Sequence, residues 1–168
     1  MRLFIAVRFS EEMLRSLVSA INDLRSDAVS GNFTREENLH LTLAFIGESN
    51  RVKELKEVIS KATEGHTSFE ISLKGFGNFG NLYWAGLKKC SALDSLVSSI
   101  KEALEEKGFE VDTRPFKPHV TLARELVSNQ KPAVSVAETS MTVNRVSLMK
   151  SERVNGKLVY SELFSKSF

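Results

Sequence analysis

The chain has 168 residues, of which 42% are hydrophobic and 26% charged, and its formal net charge is +2, as in an ordinary globular domain. The near-neutral charge argues against non-specific binding along a nucleic acid duplex but is compatible with binding of a short RNA or of an RNA end. Cys90 is the only cysteine, the apolar runs are too short to span a membrane, and the start is charged too soon for a signal peptide. A cytoplasmic, monomeric protein without membrane association is expected.

Hydrophobic periodicity predicts the element order βαββαββαββββ. Three serines, Ser10, Ser49 and Ser91, are predicted N-caps of helices with apolar stripes. Asn155-Gly156 predicts a two-residue hairpin turn. The predicted strands or extended segments cover residues 2–8, 32–35, 39–46, 68–74, 82–87, 109–113, 119–123, 142–149 and 158–164.

The glycine-rich residues 75–81 are predicted to form a turn between two strands. Their spacing matches G-x-G-x-x-G, but no helix follows, so a dinucleotide-binding loop is excluded. Strands outnumber helices without regular alternation. The predicted fold class is therefore α+β: two pseudo-symmetric lobes of mostly antiparallel sheet with outer helices, in a single bilobal domain over residues 1–168.

One five-residue stretch occurs nearly twice. His40-Leu41-Thr42-Leu43-Ala44 returns 79 positions later, with valine in place of the first leucine, as residues 119–123. Both copies lie in β-prone surroundings, and residues i and i+2 of a strand point to the same face. Each copy therefore presents one imidazole and one hydroxyl side by side.

Two such strands facing each other across a cleft would bring together His40, His119, Thr42 and Thr121. Two imidazoles supply a general acid and a general base, and two hydroxyls can hydrogen-bond an anion between them. This set can cleave a phosphodiester without a metal. It predicts a bell-shaped pH–rate profile whose two apparent pKa values belong to the pair.

These residue types also have other uses. A metal site is disfavoured because no H-E-x-x-H motif is present and carboxylates are absent from the same strand faces. Arg124 and Arg114 flank the second copy, and each is as readily a surface charge as a phosphate ligand. By strict alternation Arg124 faces away from His119, so a bend or bulge is needed to bring it in.

The remaining candidates are aromatic residues and a third histidine. Phe45, Tyr83 and Trp84 could stack a base, although the pattern favours core positions for all three. His66 lies in a predicted loop and is expected at the surface.

The two motifs resemble the paired H-x-T-x motifs of the 2H phosphoesterase superfamily. Three segments resemble its LigT-like RNA 2',3'-cyclic phosphodiesterases, a group also called the 2'-5' RNA ligase family: RLFIA at residues 2–6, ENLHLTLAFIG at 37–47 and RPFKPHVTLAR at 114–124. The resemblance spans the chain apart from residues 127–137.

The resemblance implies a bilobal α+β fold whose central cleft carries the two H-x-T-x strands. It implies metal-independent hydrolysis, with no cofactor, of RNA ends bearing a 2',3'-cyclic phosphate, such as tRNA fragments, to a 2'-phosphate. By position, His40 is the proton donor to the leaving oxygen and His119 the proton acceptor that activates water. Thr42, Thr121 and Arg124 are implied phosphate ligands, and Phe45 is implied to stack the terminal base.

Three other functions stay open on the sequence. The same groups could run the reaction backwards and join RNA ends through a 2'-5' bond. The substrate could instead be a small cyclic nucleotide. The chain could also be an RNA-end binding protein with vestigial histidines.

Overall fold

The structure, a computed structural model, describes residues 1–168. It contains three α-helices, nine strands and a short 3₁₀ helix at Glu36–Asn38. The helices are α1 (Glu11–Asp27), α2 (Val52–Thr63) and α3 (Ser91–Glu106). The strands are β1 (Arg2–Val7), β2 (Ser30–Phe33), β3 (Leu41–Glu48), β4 (Phe69–Phe79), β5 (Leu82–Leu87), β6 (His119–Val127), β7 (Ser140–Val143), β8 (Arg145–Val154) and β9 (Lys157–Ser167).

The strands form two antiparallel sheets, as the α+β prediction required. The first has the order β3-β1-β8-β9 and the second the order β2-β6-β5-β4-β7. Each sheet contains one copy of the repeated motif, and β3 and β6, the strands that carry the copies, contact each other. The fold thus brings together two segments that are far apart in sequence.

The strand β1 is buried on both faces, and these faces belong to two different hydrophobic clusters. Leu3, Ile5 and Val7 belong to a large hydrophobic core that continues beneath the second sheet through residues such as Val120 and Leu122. On the opposite face, four side chains form a smaller cluster: Phe4, Ala6, Met149 and Tyr160. This second face lines the cleft between the sheets.

The helices cover the core and bury the apolar stripes that the sequence predicts. The helices α2 and α3 pack on each other, while α1 packs on β2 and β6. Ser10 caps α1 by accepting a hydrogen bond from the Met13 backbone N–H at 3.2 Å. Ser49 does not cap α2, which begins after Arg51, and Ser91 is the first residue of α3 rather than its cap. None of the three helices combines the length and the apolar composition that a membrane span requires.

The predicted glycine turn over residues 75–81 is wrong in its extent. The strand β4 continues to Phe79, and only Gly80-Asn81 turns into β5. Gly77 lies opposite Trp84, and a Cβ added at Gly77 would stand 2.4 Å from the indole ring. A glycine is needed at this strand position because the indole ring occupies the space of a side chain.

Two further segments differ from the prediction. Residues 142–149 are not one strand, because the chain breaks at Asn144 between β7, which pairs with β4, and β8, which pairs with β1. Residues 109–113 join no sheet. The predicted element order is retained because these two differences offset each other, and the Asn155-Gly156 turn is confirmed.

The contact between Gly77 and Trp84 yields a test of this packing. Gly77→Ala should lower the free energy of unfolding by about 1–3 kcal/mol, because the new methyl group forces the indole out of place. Chemical denaturation measures this. In a Trp84→Leu background the same change should cost much less, and an equal cost in both backgrounds would contradict the explanation.

Candidate active site

The two imidazole rings are held in the same way. His40 immediately precedes β3 and His119 begins β6. In both, Nδ1 lies 2.7 Å from the carbonyl oxygen two residues earlier, that of Asn38 for His40 and that of Lys117 for His119. Because a carbonyl oxygen only accepts, Nδ1 carries the proton in each ring. This leaves Nε2 of both rings to exchange a proton on the cleft side.

The carbonyl groups themselves are held by different local structures. Asn38 ends the 3₁₀ helix, is buried, and donates from Nδ2 to the Leu158 carbonyl oxygen at 2.9 Å. Lys117 precedes Pro118, which restricts it to extended backbone. Pro118 therefore restricts the Lys117 backbone before the second motif, whereas a side-chain amide anchors the backbone before the first.

The two threonines differ in their present partners. Thr42 Oγ1 lies 2.8 Å from His40 Nε2 and, with Nδ1 protonated, donates to it. Thr121 stands opposite Trp84 in the β5–β6 pair, on the face of His119, and its side chain makes no hydrogen bond within the protein. Thr121 Oγ1 is therefore free to bind a ligand atom.

A β-bulge occurs at the same motif position in both strands. In β6, Trp84 pairs with Thr121 and Tyr83 with Ala123, so Leu122 is an extra residue. In β3, Ala6 pairs with Thr42 and Ile5 with Ala44, so Leu43 is extra. A bulge shifts the side-chain alternation by one residue. The residue three positions after each threonine therefore returns to the cleft face.

Those residues are Arg124 and Phe45. Burial supports the shift in β6, where Leu122 and Ala123 are both buried and Arg124 is exposed. Phe45 pairs with Phe4 of the cleft face and is 71% exposed, which contradicts the core position favoured by its sequence pattern. The bulge that the sequence required for Arg124 is present.

The positive charge of Arg124 affects His40, which lies in the other motif. Burial lowers the pKa of His40, the Asn38 carbonyl opposes this by raising it, and the positive charge of Arg124 lowers it further. Arg124 belongs to the strand of His119, and this strand contacts β3, so the charge acts from one motif on the other. The Arg124 side chain makes no ion pair within the protein.

Aromatic side chains surround each histidine, and most of them carry no functional signal in the sequence. The His40 ring lies 4.8 Å from the Phe4 ring and 5.1 Å from the Tyr160 ring, centroid to centroid. The corresponding distances from His119 are 5.6 Å to Phe79 and 6.5 Å to Trp84. Strand register brings these residues together, and the sequence pattern gave no functional role to Phe4, Phe79 or Tyr160.

The other sequence candidates lie outside this group. Arg114 is engaged by Asp112, with 2.7 Å between Nη2 and Oδ2. Tyr83 packs against the main core, and His66 Nε2 lies 2.9 Å from Ser99 Oγ. No three histidine, cysteine, aspartate or glutamate side chains lie close enough together to hold a metal ion.

The protein thus has an α+β fold of two antiparallel sheets, and each sheet contributes one H-x-T motif to a shared cleft. The family model described as "2'-5' RNA ligase superfamily" matches residues 14–155, and the chain belongs to this superfamily.

Individual relatives agree with this. A Methanothermobacter thermautotrophicus protein named RNA 2',3'-cyclic phosphodiesterase is 31% identical over 96% of both chains. A Geobacillus stearothermophilus protein of the same name is 33% identical over 72% of this chain, but the match spans 41% of that longer protein. A crystal structure of a Thermus thermophilus protein has a TM-score of 0.89 at 27% identity, covering 99% of this chain and 97% of its own.

The charge of Arg124 can be tested on His40 directly. In Arg124→Gln, the NMR titration midpoint of His40 should rise because one cause of its lowered pKa is removed, yet stay below its ordinary value because burial remains. Arg114→Gln is the matched control and should leave the midpoint unchanged. An unchanged midpoint in Arg124→Gln would show that the two groups do not interact.

Proposed function

We propose that the protein is an RNA 2',3'-cyclic phosphodiesterase that opens the cyclic end to a 2'-phosphate by acid–base catalysis between His40 and His119, without a metal. The observation that carries the proposal is the matched holding of the two imidazoles: in both, Nδ1 lies 2.7 Å from the carbonyl oxygen two residues earlier, and each histidine has a threonine two residues later. The names of the two relatives support the choice of substrate.

His119 is proposed as the base and His40 as the acid. His119 Nε2 takes a proton from the attacking water, and His40 gives one to the departing 3' oxygen. Attack on phosphorus in line with the leaving oxygen requires the two groups to stand on opposite sides of the phosphate. Strands that carry one histidine each, in two separate sheets, suit this requirement.

The lowered pKa of His40 bears on its role as the acid. In the free protein the lowered pKa favours neutral His40, whereas an acid must start protonated. The cyclic phosphate is an anion, and between Arg124 and His40 its charge opposes that of Arg124 and favours the imidazolium. The substrate thus helps to protonate the group that cleaves it.

Three further side chains are proposed to hold the substrate. Thr42 and Thr121 bind non-bridging oxygens through their hydroxyls, and Arg124, which has no carboxylate partner, binds the phosphate charge. Phe45 offers an exposed ring on the same face, suited to stacking the terminal base.

Fragments of tRNA with a cyclic end are the proposed natural substrates, and the protein is proposed to act as a monomer in the cytoplasm. The superfamily name points to the reverse reaction as a second candidate, in which the 5'-hydroxyl of another RNA takes the place of water and a 2'-5' bond forms. Adding such an RNA to the assay below reveals any 2'-5' joining.

The central experiment is product analysis on a short RNA with a 2',3'-cyclic end, in the presence of a chelator. The wild-type protein should yield a 2'-phosphate. His40→Ala and His119→Ala should each be slower by roughly 10²–10⁴-fold, the usual worth of general acid–base catalysis. His66→Ala is the matched control and should keep full activity, because His66 lies at Ser99, outside the cleft.

Two other results would contradict the mechanism or the function. Turnover that the chelator abolishes would mean that the histidines hold a metal. No hydrolysis of the cyclic RNA by the wild type would be incompatible with the proposed function, and would favour an RNA-end binding protein or a small cyclic nucleotide as substrate.

The threonines can be tested with an isosteric change. Thr42→Val and Thr121→Val should each lower kcat/KM by about tenfold or somewhat more, as expected for loss of a hydrogen bond to a charged group. Thr67→Val, at an exposed position without side-chain hydrogen bonds, serves as the control. If Thr121→Val retained full activity, its hydroxyl would not bind the phosphate.

A further inference from the structure

We propose that Arg2 and Tyr160 form a second anion subsite beside the histidine cleft, which binds the phosphodiester on the 5' side of the terminal nucleotide. The proposal rests on the proposed function, because it takes the ligand to be an RNA chain whose cyclic end lies between the histidines. It assigns a binding role to two residues outside the repeated motifs.

Strand register places the two residues in one row across the sheet. Arg2 pairs with Ser151 in β8, and Ser151 pairs with Tyr160 in β9. Directly opposite residues point to the same face, and Arg2 is two residues from Phe4, which lies on the cleft face. The Arg2 side chain therefore extends the surface that carries His40 and Phe45.

The distance along β1 separates this subsite from the reacting phosphate. Thr42 pairs with Ala6, and Arg2 lies four residues from Ala6, roughly 13 Å along an extended strand. The row of Phe4 and Phe45 lies between them. If the terminal nucleotide occupies that row, the neighbouring phosphodiester lies closer to the cleft than the Arg2 backbone does, and the long Arg2 side chain, whose charge acts on Tyr160, reaches back to it.

Arg2 is chemically free to bind an anion. Its side chain forms no hydrogen bond or ion pair within the protein. Glu48, opposite Arg2 in β3, is engaged by the amino group of Met1 at 3.3 Å. A guanidinium without a carboxylate partner retains its full charge for a phosphate.

Tyr160 is the point where this subsite meets the catalytic one. Its ring contacts both His40 and Phe4. Burial raises the pKa of Tyr160, and the positive charges of Arg124 and Arg2 act against that rise, so both guanidinium groups lie near the phenol. Two unpaired cations near one hydroxyl suit a ligand with two successive negative charges.

The test uses matched oligonucleotides with a 2',3'-cyclic end. In one substrate the last internucleotide linkage is an ordinary phosphodiester; in the other it is a neutral methylphosphonate. The nucleotide at this linkage is 2'-deoxy in both. Measuring kcat/KM for the wild type and Arg2→Gln on both substrates completes a double-mutant cycle.

We expect Arg2→Gln to lower kcat/KM on the charged substrate by about tenfold, as for one lost hydrogen bond to a charged group. The neutral linkage should lower it about as much for the wild type but by less than about twofold for Arg2→Gln, since the partner is already gone. Tyr160→Phe keeps the ring against His40 and removes only the hydroxyl, so its coupling to the same linkage should be smaller than that of Arg2→Gln.

Two controls locate the effect. A neutral linkage placed one step further upstream should combine additively with Arg2→Gln. Arg15→Gln, at an exposed arginine of α1 that forms no ion pair, should show no coupling to either linkage. If the RNA is hydrolysed but the effects of Arg2→Gln and of the neutral last linkage are additive, the proposed subsite is wrong and the proposed function stands. A wild-type protein that leaves every cyclic end intact would overturn the proposed function together with it.

Discussion

The site depends on the extra residue that follows the threonine in each motif strand. Without the bulges at Leu43 and Leu122, strict alternation would turn Phe45 and Arg124 toward the core side of their sheets. With them, each strand shifts its pairing by one residue and then returns a side chain to the cleft. The same device in both copies gives one strand an exposed aromatic ring and the other an unpaired cation. The two walls are therefore alike in backbone and different in chemistry.

A second asymmetry concerns the histidines. Both rings have the same tautomer, but His40 lies between Phe4 and Tyr160 under the influence of Arg124, and its pKa is lowered. Acid–base catalysis needs one protonated and one neutral imidazole, so identical surroundings would serve it poorly. In the proposed function, the bound phosphate supplies the negative charge that His40 lacks in the free protein. Binding and protonation are thereby coupled through Arg124.

The strand β1, one of the two inner strands of the first sheet, has a different task on each face. Its core-facing residues hold the sheet to the helices, whereas its other face carries Phe4 beside His40 and, in the proposed subsite, Arg2 beyond it. A single buried strand thus links the packing of the fold to the surface that an RNA end would contact. In the proposed subsite, a change at Arg2 would alter substrate recognition without altering a motif residue, whereas a change at Tyr160 would also reach His40.

The sequence by itself determined the element order, the α+β class and the four motif side chains, because periodicity and a local repeat are properties of short segments. It also showed that Arg124 needs a bulge. Tertiary structure alone decided that the bulge exists, that Phe45 is exposed, that Gly77 lies beneath an indole ring within a strand, and that Tyr160 meets His40. Each of these depends on which strands pair and in what register, and pairing between residues far apart in the chain leaves no periodic mark on either partner.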